Sequence, residues 1–276
     1  MDLINLIKKT FESNSSVTEL SWLESSISQA ENEKALQTAF VAVPRHISKS
    51  TITLEQEIKE QFIQAIDFPP QGWTLQQLAR TFILLHFNPE SEKTYVNALT
   101  TLFETAEINE LSTLYSALPL LHYPKHWLPR AKEGVRSNMG SVFDAIAFNN
   151  PYPSLYFDDA AWNQLVLKTI FGGKNIHQIH GLKARSNRDL AYMISDLAHE
   201  RWAADRAIPP NVWEIVSPFI DQRLISDIEK LFLSENKHEQ YAATLTCMQT
   251  DFRSAKDLLF KHYSAYQQEK MEWTDL

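Results

Sequence analysis

Residues 95–121 read YVNALTTLFETAEINELSTLYSALPLL, and their spacing decides the fold class. Tyr95, Ala98, Leu99, Leu102, Phe103 and Ala106 recur at intervals of three and four, which gathers them on one face of a helix. After a polar interruption, Leu111, Leu114, Tyr115, Leu118 and Leu121 repeat the pattern. Two amphipathic helices joined by so few residues must run antiparallel and bury their stripes together.

Working outward, the same spacing returns on both sides. Leu75, Leu78, Phe82 and Leu85 precede it; Leu190, Met193, Ile194, Leu197 and Ala198 follow, then Leu224, Ile225, Ile228, Leu231 and Phe232. Ala255, Leu258, Leu259, Tyr263 and Tyr266 make the last stripe. Helix starts are marked as well. Thr53 with Gln56 and Thr74 with Gln77 fit the reciprocal capping box, and Ser186 with Asp189 nearly does. Asn88-Pro89, Pro209-Pro210 and Asp158-Asp159 each read as the opening of a helix.

Strand signals are missing. The chain has no Asn-Gly or Asp-Gly turn, and its 6 glycines in 276 residues leave few positions for tight hairpins. The expected fold is all-α: an irregular α-solenoid, or α–α superhelix, of right-handed stacked helix pairs. The HEAT-like outline is clearest where a helix over Asn236 to Thr250 breaks at Asp251-Phe252 and resumes from Arg253 to Tyr266. No strict period accompanies it, hence irregular stacking. The stretch FNNPYPSLYFDDAAW, residues 148–162, interrupts the rhythm with two prolines and five aromatics. It divides residues 1–147, an N-terminal helical-repeat half, from a C-terminal helical half over 148–276, within one continuous domain.

Composition narrows function by exclusion. A net charge of −8, with no Lys/Arg-rich run, repels phosphate backbones and argues against nucleic acid as partner. The single cysteine, Cys247, cannot close an intramolecular disulfide and reads as a buried small residue. The opening MDLINLIKKTFES has its lysines after the apolar residues, unlike a signal peptide, and no apolar run reaches the ~18 residues that span a bilayer. A cytoplasmic location is expected. Met271 to Leu276 are expected to be poorly ordered.

Catalytic signatures fail one after another. There is no G-x-S-x-G and no phosphate-cradling glycine loop; Gly172-Gly173 reads as the end of a helix from Trp162 to Phe171. Asp158-Asp159 lacks the further carboxylates that a magnesium–diphosphate clamp requires, so helix capping accounts for it. His177 and His180 could join His199 and Asp196 across helices, but a metal site needs better-spaced ligands, and the expectation is no metal and no cofactor. A polar face is more suggestive. Asn163, Gln164 and Lys168 on one helix, and Tyr192, Asp196, His199 and Arg206 on another, lie among Trp162, Trp202 and Trp213. Together they could line a groove for an aromatic or polyprenyl ligand.

Three long motifs carry a further signal: NPYPSLYFDDAAWNQLVLKTIF, IHGLKARSNRDLAYMISDLAHERWAADR and PPNVWEIVSPFI, within about Asn149 to Ile220. In these the chain resembles the EboA family. Members are encoded in a small bacterial gene cluster beside a membrane prenyltransferase, and that cluster is associated with moving secondary-metabolite precursors toward export. The resemblance carries over motif residues only: Asn150, Tyr152, Trp162, Asn163, Gln164, Lys168, His199, Glu200, Arg201, Trp202 and Arg206. It implies a non-catalytic binding or scaffold protein of a metabolite-trafficking pathway. The ligand would be a hydrophobic or aromatic metabolite, and the partners proteins of the same pathway, with the membrane prenyltransferase among the candidates. The alternative is an enzyme, with or without a metal, acting on a prenylated or aromatic metabolite. There His199 and Glu200 would be acid–base groups and Lys168 or Arg206 would bind an anion.

Overall fold

A computed structural model describes residues 2–30, 32–262 and 272–276. Among the described residues there is no strand; a single isolated bridge joins Thr51 to Thr74. The chain forms two compact units, Met1–Phe157 and Asp158–Leu276.

The first unit contains α1 (Leu3–Asn14), α2 (Val17–Gln29), α3 (Glu33–His46), α4 (Gln56–Ile66) and α5 (Leu75–His86), then α6 (Glu92–Thr105), α7 (Ile108–Ala117), α8 (Leu128–Arg136), α9 (Gly140–Ala147) and α10 (Tyr152–Tyr156). It is built around α5, which packs against α1, α2, α3 and α7. Residues Leu75 and Leu78 through Leu85 are all buried, so α5 has no solvent face over most of its length. Each large apolar side chain buried this way contributes about 1.5–3 kcal/mol. The Thr74–Gln77 capping box expected at its start forms in full.

Arg80 enters this core, 1% exposed. Its Nε donates to the Phe40 carbonyl at 3.2 Å, and its Nη2 meets Glu110 Oε1 at 3.3 Å. Glu107 stands 3.9 Å away, and the guanidinium carbon lies 5.3 Å from the Phe40 ring centre. Burial lowers the Arg80 pKa and the two carboxylates oppose that. A buried guanidinium survives only when paired in this manner.

The second unit holds α11 (Asp159–Phe171), α12 (Arg188–Ala203), α13 (Trp213–Val216), α14 (Ile225–Phe232), α15 (Lys237–Gln249) and α16 (Arg253–His262). α15 packs against α13, α14 and α16, and α12 against α11 and α13. Asp158 caps α11 by accepting from the Ala161 N–H at 2.8 Å. Gly172 and Gly173 end it, Gly173 at φ 64 where a side chain would be strained.

Several expected starts moved. Thr53 does not cap α4, because its N–H is held by Asn14 Oδ1 at 2.6 Å and the helix begins at Gln56. Asn187, not Ser186, caps α12, since the Ser186 hydroxyl donates back to the Leu182 carbonyl. Asn88-Pro89 precedes a loop, and Ser91 caps α6. Pro209-Pro210 opens only a short turn leading into α13. The tail also differs from expectation: Trp273 is 6% exposed within a short 3-10 turn, because an indole of that size repays packing. Tyr263 and Tyr266 of the last stripe lie outside the described residues. Cys247 is fully buried, and that burial pushes its thiol up to about 12.

Candidate functional site

The apolar positions of α11 run around the helix. Trp162, Leu165, Val166 and Ile170 face the core, yet Leu167 and Phe171 lie on another side, Phe171 70% exposed. A helix apolar on every side is expected to be covered on every side. α12 presents a matching surplus. Leu190, Ile194 and Ala198 are buried, whereas Met193, 44% exposed, and half-buried Leu197 are not.

These unburied apolar groups face one another across a groove of about 550 Å³ between α11 and α12. Ala160, Leu167, Phe171, Met193 and Leu197 form its apolar wall. Gln164, Lys168, Asp196 and Glu200 supply the polar lining. The spacings 160, 164, 167, 168, 171 and 193, 196, 197, 200 are the i, i+3, i+4 series that puts one face of each helix on the groove. Desolvation lowers the Lys168 pKa, as a cation beside apolar surface requires. The volume suits a small organic molecule, and mixed apolar walls with a few polar groups are the usual make-up of a ligand site.

Of the residues expected to bind, the groove gathers Gln164, Lys168 and Glu200. Trp162 is fully buried beneath it, with Arg185 Cζ 5.0 Å from its ring centre. Asn163 is 4% exposed and exchanges amide hydrogen bonds with Asn187, at 3.3 and 2.9 Å, which clasps the two helices. Asn150, 2% exposed, donates to the Tyr115 and Ala145 carbonyls and accepts from the Tyr152 N–H. The fully buried Tyr152 donates its hydroxyl to the Pro124 carbonyl, and burial raises its pKa. Both therefore brace the first unit's interior and present no free polar edge to a ligand. Arg201 Nε donates to the Ala207 carbonyl at 2.7 Å and holds the turn after α12.

Trp202 and Arg206 line a separate hollow of about 660 Å³ with Lys230 and Glu229. There Lys230 Nζ sits 4.2 Å from the Trp202 ring centre, and Trp202 stacks on Trp213 at 6.1 Å. Ligand access to the Trp202 ring is thereby reduced.

The polar stripe of α12 has another use. Tyr192 donates to Asp221 at 2.6 Å, Arg223 donates to Asp196 at 2.8 Å, and His199 Nε2 meets Asp227 at 2.6 Å. Positions 192, 196 and 199 share one face, so this ladder fastens α12 to the turn before α14, through Asp221 and Arg223, and to α14 itself, through Asp227. Burial pushes the Asp221 carboxyl up, but Tyr192, the N–H groups of Arg223 and Leu224, and Arg188 outweigh it and hold it low. Asp227 is 2% exposed and accepts from Ser195 at 2.6 Å as well as meeting His199. His177 Nδ1 lies 3.5 Å from Glu214 rather than on this ladder. Among the described residues no cluster of three or more potential metal ligands occurs.

Comparison with curated proteins and with solved structures returns no match. A family model does match, described as "Metabolite traffic protein EboA", over residues 3–217. The match takes in α1 through α13, including both walls of the groove; Asp227 lies beyond it. The family signal thus begins well before the motifs at Asn149, and the chain belongs to the EboA family.

Proposed function

We propose that this chain is a non-catalytic binding protein of a metabolite-trafficking process, and that it holds a small apolar or aromatic metabolite in the α11–α12 groove. The supporting observation is the surplus apolar surface of Leu167, Phe171, Met193 and Leu197 around a ligand-sized volume. The family description, metabolite traffic, points the same way. On this reading the helix pairs stack as a scaffold, the protein acts in the cytoplasm on precursors of a secondary metabolite, and proteins of the same pathway receive the cargo. A membrane prenyltransferase is one candidate partner; among the described residues, no helix is long and apolar enough to cross a membrane.

Titration with the fluorophore anilinonaphthalene sulfonate, an aromatic anion, tests the groove. The native chain should enhance its fluorescence saturably. Leu197→Glu with Phe171→Ser should abolish the enhancement while leaving helical circular dichroism unchanged. Equal enhancement by that variant would refute the assignment.

A second reading rests on the buried Asp227 beside His199. A carboxylate that fixes one imidazole nitrogen leaves the other able to accept a proton, and the His199 side chain is 54% exposed. Glu200 does not share that position, since it lines the groove. Turnover of a prenylated phenol that Asp227→Asn abolishes, with groove binding intact, would favour the enzyme.

A further inference from the structure

The first unit contains a cavity of a different character, about 320 Å³, bordered by α5, α7, α9 and Lys49. All of its lining residues except Ala145 carry a polar group, set among the apolar stems of those same side chains, although α5 and α7 are among the most buried of the described helices. Two atoms of its lining residues are notable. Arg80 uses Nε and Nη2 on Phe40 and Glu110, so Nη1 has no protein partner among the described residues. Ser116, 6% exposed, likewise has no hydroxyl partner among them. Both line the cavity. Gln76 and Gln77 add one amide edge each: Gln76 Nε2 is held by the Ile47 carbonyl and Gln77 Oε1 by Thr74, which leaves an oxygen and a nitrogen respectively.

We infer that this cavity is a second ligand site, for a small neutral polyhydroxylated molecule such as a monosaccharide or cyclic polyol. The unengaged groups are donors (Arg80 Nη1, Gln77 Nε2), an acceptor (Gln76 Oε1) and a hydroxyl that is both, and a hydroxyl-bearing ligand answers all three. Charge decides against an anion. Arg80 already faces Glu110 at 3.3 Å and Glu107 at 3.9 Å, so a further negative group would meet a net negative surround. Lys49 and Asp144 at the cavity carry opposite signs and add no net charge. An apolar ligand would strand Arg80 and Ser116 without partners, which buried polar groups do not tolerate cheaply.

Saturation-transfer NMR on the full chain, with glucose and myo-inositol as probes, tests the site. Transfer should reach the ring protons of at least one probe. Ser141→Phe, which blocks the cavity from an exposed position, and Ser116→Val, which removes the buried hydroxyl, should each reduce it to background while circular dichroism stays native. Glucuronate, the anionic pyranose counterpart of glucose, should bind at least about tenfold more weakly. No transfer to either probe would show a hollow holding water only. Transfer that survives both variants, or glucuronate binding as well as the neutral sugar, would also overturn the assignment.

Discussion

In the first unit, α5 is enclosed by α1, α2, α3 and α7 and carries a guanidinium into the interior. In the second, α12 buries the Leu190, Ile194 and Ala198 edge and keeps Met193, Asp196, His199 and Glu200 outside. The first unit has its polar chemistry inside an apolar shell; the second has apolar surface left over outside a polar clasp. Inward polar groups govern stability because their loss strands a partner away from water. Outward apolar groups govern binding because they are already solvated and add little to the fold. Substitutions should therefore separate by unit, stability moving in one and ligand capture in the other.

The largest effect expected is Glu110→Ala, which removes the nearer counter-charge of buried Arg80, leaves only Glu107 at 3.9 Å, and should cost about 3 kcal/mol in urea unfolding. Combining it as Arg80→Met with Glu110→Leu should recover most of that loss, because no stranded charge remains. A cost as large in the double variant would mean that the pair itself, not its rupture, carries the stability.

Asp227→Ala comes next and blurs the contrast usefully, since it is an inward acid in the second unit. Losing the Ser195 and His199 partners should cost about 2 kcal/mol and loosen α14 from α12, visible as faster amide exchange there.

Glu19 gives a smaller, pH-dependent term. Burial raises its pKa, but the N–H groups of Ser16 and Ser48, with both hydroxyls, outweigh that and hold it at about 2 against an ordinary 4.5. A lowered folded-state value means stability present above about pH 4.5 and lost as pH falls toward 2. Glu19→Gln should remove about 1 kcal/mol of that acid-side slope, after discounting for solvent screening. An unchanged pH profile would show that the Ser48 tether does not matter.

Smallest is Asp205→Gly. Asp205 sits at φ 53 just after α12, where its N–H bonds the Trp202 carbonyl and the Arg206 N–H bonds that of Arg201. Glycine adopts this left-handed cap without a Cβ clash, so the variant should gain about 0.5–1 kcal/mol. A loss would mean that the aspartate side chain holds the turn.

The helical class was legible because periodic stripes such as Tyr95 to Phe103 reflect real burial. Less legible was how the helices meet. α5 touches four partners distant in sequence, and a stripe says only that a face is covered, not by what. The groove was half visible: Gln164, Lys168 and Glu200 were picked out as polar, but Leu197 and Met193 read as core because spacing cannot distinguish a buried stripe from a wider one. Asp227 escaped notice although its position gave it away, an acid between Leu224 and Ile228 on an apolar face. Arg80 stood in the same way among Leu78, Phe82 and Ile83.

Methyl NMR of the full chain, titrated with a prenylated phenol, tests the central claim most directly. Shifts confined to Leu167, Met193, Leu197 and nearby α11 methyls, saturating with ligand, are the predicted result. Absence of any shift, or shifts centred on core methyls such as Leu99 and Leu114, would contradict it.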